Sequence, residues 1–406
     1  MNTTDYESMS AVAIHAAQQQ SWEHAHLTPI FATSTFTFDS AEQGMKRFLG
    51  EEPGYTYSRF GNPTCQVAEK VIASLETFNL KDAGGKPMQA RALLHASGQA
   101  AMVTMFLSNL KAGDTVLSDY KVYGGTFEFL HDVLPTLGIK SLFTDLKHLE
   151  QTEDIIRNNP SLRIIHLETP SNPTMECIDI AAICDMAKRH NLLVTVDNTF
   201  ATPYLQQPFA LGADFIFHST TKFLNGHGTS IGGVLIGKDV DFMNTQGART
   251  CKLLGGVSSP FDAFLLLQGV KSIELRMDKH CDNAMQVAQY LSAHTAVSRV
   301  HYNGLPQHPD FHISSKQMRK PGAMLSFELK AGFEGGKKFI DKLKLCVRAV
   351  SLGTIDTLIS HPASMSHSGM SKESREKSGI TDGLIRMNVG LEHINDIIND
   401  LDQALS

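Results

Sequence analysis

Between residues 66 and 270 the chain alternates short apolar runs, rich in β-branched residues, with stretches of helical character. No other feature constrains its fold as much. Thr115-Val116-Leu117-Ser118, Arg163-Ile164-Ile165-His166-Leu167, Leu192 to Val196, Asp214 to Phe217 and Gly233-Val234-Leu235-Ile236 read as strands. Strands of this kind separated by helices predict a mostly parallel sheet covered on both faces, an α/β architecture. Beyond residue 270 the pattern changes: helical periodicity from Ser272 to His294 leads into a strand at Met324 to Leu329. Ile394, Ile397, Ile398, Leu401 and Leu405 then mark an amphipathic terminal helix. Residues 1–65 are polar and aromatic with little periodicity, and read as an arm that orders against something else. The expected division is an arm (1–65), a large domain (66–270) and a C-terminal small domain (271–406), which suits a chain of 406 residues. Ser366 to Lys377, charged and full of turn formers, reads as an exposed loop.

Charge argues against two classes of partner. With 36 Lys and Arg against 42 Asp and Glu, the net charge of −6 favours neither nucleic acid nor an anionic membrane. No run of about eighteen apolar residues is present to span a bilayer. The segment Met1 to Glu7 has no basic or apolar leader pattern, so the expected compartment is the cytoplasm. Cys65, Cys177, Cys184, Cys251, Cys281 and Cys346 are scattered without a CxxC pair, and are expected to be reduced core thiols.

Chemistry concentrates where the apolar runs end. Val194-Thr195-Val196 delivers Asp197, and about one unit later Ala213 to Phe217 delivers Ser219, Thr221 and Lys222. In an open α/β sheet the carboxyl ends of strands line the ligand crevice. An acid to keep a pyridine nitrogen protonated, a lysine to form a Schiff base and hydroxyls for a phosphate are the groups that pyridoxal phosphate requires. Ser97-Gly98-Gln99-Ala100-Ala101-Met102 is a small-residue turn opening a helix, a place for an anion or simply a capped helix start. Tyr123, followed by Gly124 and Gly125, sits past the Thr115 strand, where an aromatic ring can stack on a flat cofactor or merely pack. Tyr57 and Arg59 lie in a loop, Arg59 suiting either a phosphate or a surface ion pair. Arg386 interrupts the apolar run Leu384 to Val389 and needs an anion, from substrate or from a structural carboxylate.

Competing motifs fail on context. Gly228-Thr229-Ser230-Ile231-Gly232 matches the serine-hydrolase elbow GxSxG but precedes its strand instead of following one. Gly226-His227-Gly228 lacks the spacing of a dinucleotide fingerprint. The histidines, His361 and His367 among them, show no metal-ligand spacing, so no metal is expected.

The blocks YSRFGNPT, VYGGTFEFL, ETPSNPT, VDNTFATPY, HSTTKFLNGHG and SLGTIDTLISHPASMSH, in this order, resemble the Cys/Met-metabolism (trans-sulfuration) family of PLP-dependent enzymes. The likeness runs from Leu27 to Glu392. It implies an aspartate-aminotransferase-like fold of type I: a large domain on a mostly parallel sheet of the seven-stranded type, then a smaller α+β domain. By resemblance Lys222 is the Schiff-base lysine, Asp197 pairs with the pyridine nitrogen, and Tyr123 stacks on the ring and handles leaving-group protons. Gly98, Gln99, Ser219 and Thr221 would hold the phosphate, with Tyr57 and Arg59 reaching it from the neighbouring subunit of a dimer of dimers. Asn172, Ser351 and Arg386 match positions that bind the α-carboxylate of an amino-acid substrate. Gln99 stands where many members have methionine, a contact made by a backbone N–H. Gly125 stands where the best-known methionine-cleaving members carry cysteine. Val350 is apolar where members that cleave cystathionine carry a glutamate for its distal amine. The implied reaction is γ-elimination of L-methionine to methanethiol, ammonia and 2-oxobutanoate. γ-Replacement on O-acetyl- or O-succinylhomoserine, or γ-cleavage of cystathionine, is the alternative.

Overall fold

A computed structural model describes residues 6–16, 24–377 and 379–406. Residues 1–5 and 17–23, part of the expected arm, lie outside the described residues. Seven strands build the first sheet: β1 (Arg91–His95), β2 (Thr115–Asp119), β3 (Lys140–Thr144), β4 (Leu162–Glu168), β5 (Leu193–Asp197), β6 (Phe215–His218) and β7 (Gly233–Gly237). Their order is β1-β7-β6-β5-β4-β2-β3. The five from β3 to β6 are parallel to their neighbours, whereas β7 runs antiparallel to both β6 and β1. Sequence reasoning expected β2, β4, β5, β6 and β7, each within two residues at either end, and missed two. β1 is built from Ala and Leu, which favour helices. β3 lies at the sheet edge, is only partly buried and so carries a weak apolar signal.

The antiparallel β7 has a consequence for the site. A parallel successor would need a crossover back to the other edge of the sheet. Here the connection from β6 to β7 stays at the carboxyl edge, and residues 219–232, with Lys222 among them, remain beside the ends of β5 and β6.

The second sheet contains β8 (Val297–His301), β9 (Met324–Leu329), β10 (Val347–Arg348), β11 (Leu358–Ser360) and β12 (Leu384–Asn388), in the order β10-β11-β12-β9-β8. The helix Ile273–Ala293 and the terminal helix Ile394–Leu405 share its core with Phe327, Phe339 and Ile385. Two expectations need correction. A short helix, Met9–His15, buries Met9, Val12 and Ala13 against the main core, so the arm is not wholly without packing of its own. Within the supposed loop Ser366 to Lys377, Lys372–Lys377 forms one short helix. All six cysteines are buried and unpaired, as the scattered spacing suggested. Among the described residues no helix is long and apolar enough to cross a membrane.

Candidate active site

Asp197 is the last residue of β5 and Lys222 lies four residues past the end of β6. The backbone N–H of Thr199 donates to Asp197 Oδ1 (2.9 Å), and the Thr199 hydroxyl accepts from the N–H of Ser219 (2.9 Å). Asp197 is thereby tied to the start of the lysine loop. Burial lifts its carboxyl group above the ordinary carboxylate range, opposed by the Thr199 hydrogen bonds and by His218. His218 itself is fully buried against Glu76, Nε2 to Oε1 at 2.5 Å. Among the described residues no lysine or arginine pairs with Asp197, so a buried acid faces the site with a cation still to gain.

The lysine loop is held on several sides. Thr221 Oγ1 accepts from the N–H of Gly232 (3.0 Å) and donates to its carbonyl (3.3 Å), closing the loop on itself. Arg276, 4% exposed, donates to the carbonyls of Phe223 (2.8 Å), Leu224 (3.4 Å) and Gly269 (2.8 Å). Gly226, at φ +74°, leaves the space for it: a Cβ there would stand 2.0 Å from Arg276 Nη1. His280 and Asn283 follow on the same helical face, four and then three residues on. They reach the carbonyls of Val389 (2.6 Å) and Gly390 (2.9 Å), just beyond β12. One helix therefore grips both the loop of Lys222 and the strand of Arg386. Periodicity had marked this helix, but nothing in the sequence said what its buried arginine would hold.

Lys222 Nζ donates to Ser351 Oγ (3.1 Å), and Arg386 Nη2 donates to the carbonyls of Ser351 (3.1 Å) and Val350. Burial first, then the positive field of Arg386, pulls the Lys222 ammonium below the ordinary lysine range. Burial alone lowers Arg386 to about 10, with no carboxylate offsetting it. Of the two anions considered for Arg386, a structural carboxylate is absent among the described residues. The Asn172 side-chain oxygen is also buried without a partner.

The helix Gly98–Asn109 starts against this edge. Ser97 Oγ accepts from Ala100 (3.1 Å) and the Ser97 carbonyl from Ala101 (3.2 Å), which leaves the N–H groups of Gly98 and Gln99 without intrahelical acceptors. A Cβ on Gly98 would lie 2.9 Å from Ser219 Cβ, so only glycine lets the helix start meet the lysine loop this closely. Ser97 is the cap, and the two N–H groups at the helix start stay unspent within the helix. Gln99 also has a place for its side chain. Its side-chain amide donates to the Gly125 carbonyl (3.1 Å), and a Cβ on Gly125 would come within 2.8 Å of both Gln99 Nε2 and the Tyr123 ring.

Tyr123 is 53% exposed and begins the helix Gly124–Glu128. Its N–H donates to Glu168 Oε2 (2.6 Å). Sequence reasoning passed over Glu168, although it ends a strand just as Asp197 does. Tyr57 and Arg59 stand apart from the residues above. Arg59 donates to the Lys252 carbonyl (2.9 Å) and lies over the rings of Phe60 and Tyr57, all on an exposed face.

A depressed amine, a carboxylate lacking a cation, a guanidinium lacking an anion and two free N–H donors together fit pyridoxal phosphate and an amino acid. Comparison with known proteins agrees with that chemistry. Residues 10–406 match the model of a family described as Cys/Met metabolism PLP-dependent enzyme. An L-methionine gamma-lyase from Fusobacterium nucleatum subsp. polymorphum is 45% identical over 408 residues, covering 100% of this chain and 99% of that protein. One from Porphyromonas gingivalis is 44% identical over 394 residues, 97% of this chain and 96% of its own. The crystal structure of cystathionine gamma-lyase from Lactobacillus plantarum complexed with L-serine superimposes with a TM-score of 0.88 at 35% identity, covering 98% of each chain.

Proposed function

This chain belongs to the Cys/Met metabolism family of PLP-dependent enzymes, and on that premise we propose that it cleaves L-methionine at its γ-carbon. With one water, the products are methanethiol, ammonia and 2-oxobutanoate. The observation that carries the reading is the linked trio of Lys222, Ser351 and Arg386, which sets a destabilised ammonium beside a guanidinium in want of a carboxylate. Pyridoxal phosphate, when bound, supplies an aldehyde for the amine and a cationic ring that accepts electrons from the α-carbon. In this reading Asp197 holds the proton on the ring nitrogen. The N–H groups of Gly98 and Gln99, with the hydroxyl of Ser219 and that of Thr221 once it turns from the Gly232 carbonyl, hold the phosphate. Arg386, Ser351 and Asn172 bind the substrate carboxylate. Lys222, as a neutral amine, takes the α-proton and then moves one from the β-carbon, and Tyr123 gives a proton to the departing sulfur.

Substrate choice rests on Val350, whose carbonyl Arg386 grips. An apolar side chain there suits the methylthio tail of methionine and offers nothing to a distal ammonium. The similarity to the Fusobacterium and Porphyromonas enzymes supports the same choice. Gly125 favours a second reading, γ-replacement on an O-acylhomoserine, since the best-known methionine-cleaving members of the family carry cysteine there. The arm also has a role in this proposal. Tyr57 and Arg59, on an exposed face with Arg59 held at the Lys252 carbonyl, would complete the neighbouring subunit's site in a dimer of dimers. Residues 1–65, 66–270 and 271–406 would then be arm, cofactor domain and small domain, and six unpaired cysteines suit the cytoplasm.

The test is product analysis with methionine, cystathionine, homocysteine and O-acylhomoserine plus sulfide. Methanethiol and 2-oxobutanoate from methionine are expected to dominate, and Lys222→Ala is expected to be colourless and inactive. Homocysteine formed fastest from the ester and sulfide would transfer the assignment to replacement.

A further inference from the structure

Glu168 and Asp197 end adjacent parallel strands and sit opposite one another in the register of β4 and β5. Glu168 is 5% exposed and has no lysine or arginine partner among the described residues. Its partners are instead backbone donors from two loops of the site. Tyr123 N–H meets Oε2 at 2.6 Å, and the N–H of Asn172 also points to this carboxyl group. Tyr123 follows β2 and Asn172 follows β4, so one carboxyl group joins two loops at the edge that presents Asp197. The Tyr123 ring has no comparable restraint from burial, being half exposed on a five-residue helix start.

We propose that Glu168 is a positioning residue, whose carboxyl group sets the Tyr123 main chain, and through it the ring, against the strand edge that carries Asp197. This rests on the reading of Tyr123 given above. The task needs a hydrogen-bond acceptor and not a negative charge. A second full charge beside Asp197 would meet like-charge repulsion in a dry setting. Burial, then the charge of Asp197, accordingly raises the Glu168 carboxyl far above the ordinary carboxylate range. A protonated Glu168 still accepts the Tyr123 N–H and adds no charge to the pair.

The test compares Glu168→Gln, which keeps an acceptor, with Glu168→Met, which keeps the volume and loses it, in the cofactor-loaded enzyme. E168Q is expected to retain kcat/KM within about threefold, and E168M to lose about 10- to 100-fold, the scale of a misplaced catalytic group. The loss in E168M is expected in kcat with KM little changed. It should bring a change in the circular dichroism of the visible band, which reports the tilt of the bound ring. In a Tyr123→Phe background, E168M should cost almost nothing further, because both changes act on one group. Multiplicative losses in the double variant, or E168Q falling as far as E168M, would overturn the proposal. Should E168M not fold, Glu168→Ala removes the acceptor with room for water. The cycle runs on whichever substrate the product analysis selects, and the dichroism needs no turnover, so a wrong substrate assignment leaves this test standing.

Discussion

Lys222 and Arg59 are both assigned to one site, yet the chain treats them in opposite ways. Around Lys222 every neighbour is internal: Ser351 takes its amine, Thr221 closes its loop, and the buried Arg276 holds the carbonyls that follow it. Arg59 lies on an exposed face among Tyr57 and Phe60, with one hydrogen bond to a carbonyl of Lys252. The first region is braced within a single chain, by the buried polar groups that fix its backbone. The second is a set of polar and aromatic side chains with surface to spare. A region built the first way is expected to be intolerant of change in folding itself. One built the second way is expected to matter chiefly for what it meets outside.

Three changes test that contrast. Arg276→Met should have the largest effect, because it strands the carbonyls of Phe223 and Leu224 in a dry interior, while that of Gly269 keeps Ser272. A loss of about 2 kcal/mol or more in denaturant unfolding is expected, at ~1–3 kcal/mol per buried unsatisfied group. Unchanged stability would remove the internal anchoring on which the comparison depends. Arg59→Ala should change stability by no more than about 0.5 kcal/mol, as exposed positions do, while weakening cofactor retention about 10-fold or more for one lost charge-assisted contact. Mixed with Lys222→Ala under subunit exchange, it should recover activity in about a quarter of sites, since half of random dimers are hybrid with one intact site each. No recovery would return Arg59 to its own chain's site.

The smallest effect concerns pH. Arg386→Gln removes one of the two causes that depress the Lys222 ammonium. The reactive form is the neutral amine, so the proton should now persist to higher pH. The rate at which apoprotein captures an aldehyde, trapped by borohydride and weighed by mass spectrometry, should therefore begin its rise at higher pH than in the wild type. A profile unmoved, or moved downward, would show that the field of Arg386 does not reach the amine.

Much of this was legible along the chain because strands that are buried on both faces write themselves as apolar runs, and their polar ends stand out. Asp197, Lys222 and Ser219 were singled out in that way, and five of the seven strands form where the runs placed them. Helical spacing likewise announced Ile273–Ala293 and the terminal helix. What stayed hidden has a common cause: it depends on residues far apart in sequence. The antiparallel turn of β7, which keeps the lysine loop at the carboxyl edge, is a matter of strand order. Arg276 reads as one more polar residue in an amphipathic helix until the Phe223 carbonyl, 53 residues away, arrives beside it. Glu168 reads as the end of a strand until Tyr123, 45 residues earlier, hands it an N–H. Local pattern thus determined which elements form and which ends carry chemistry, since periodicity and burial act over a few residues. Only the folded chain decided how those ends are braced, because dry hydrogen bonds between distant segments exist nowhere but in the assembled core.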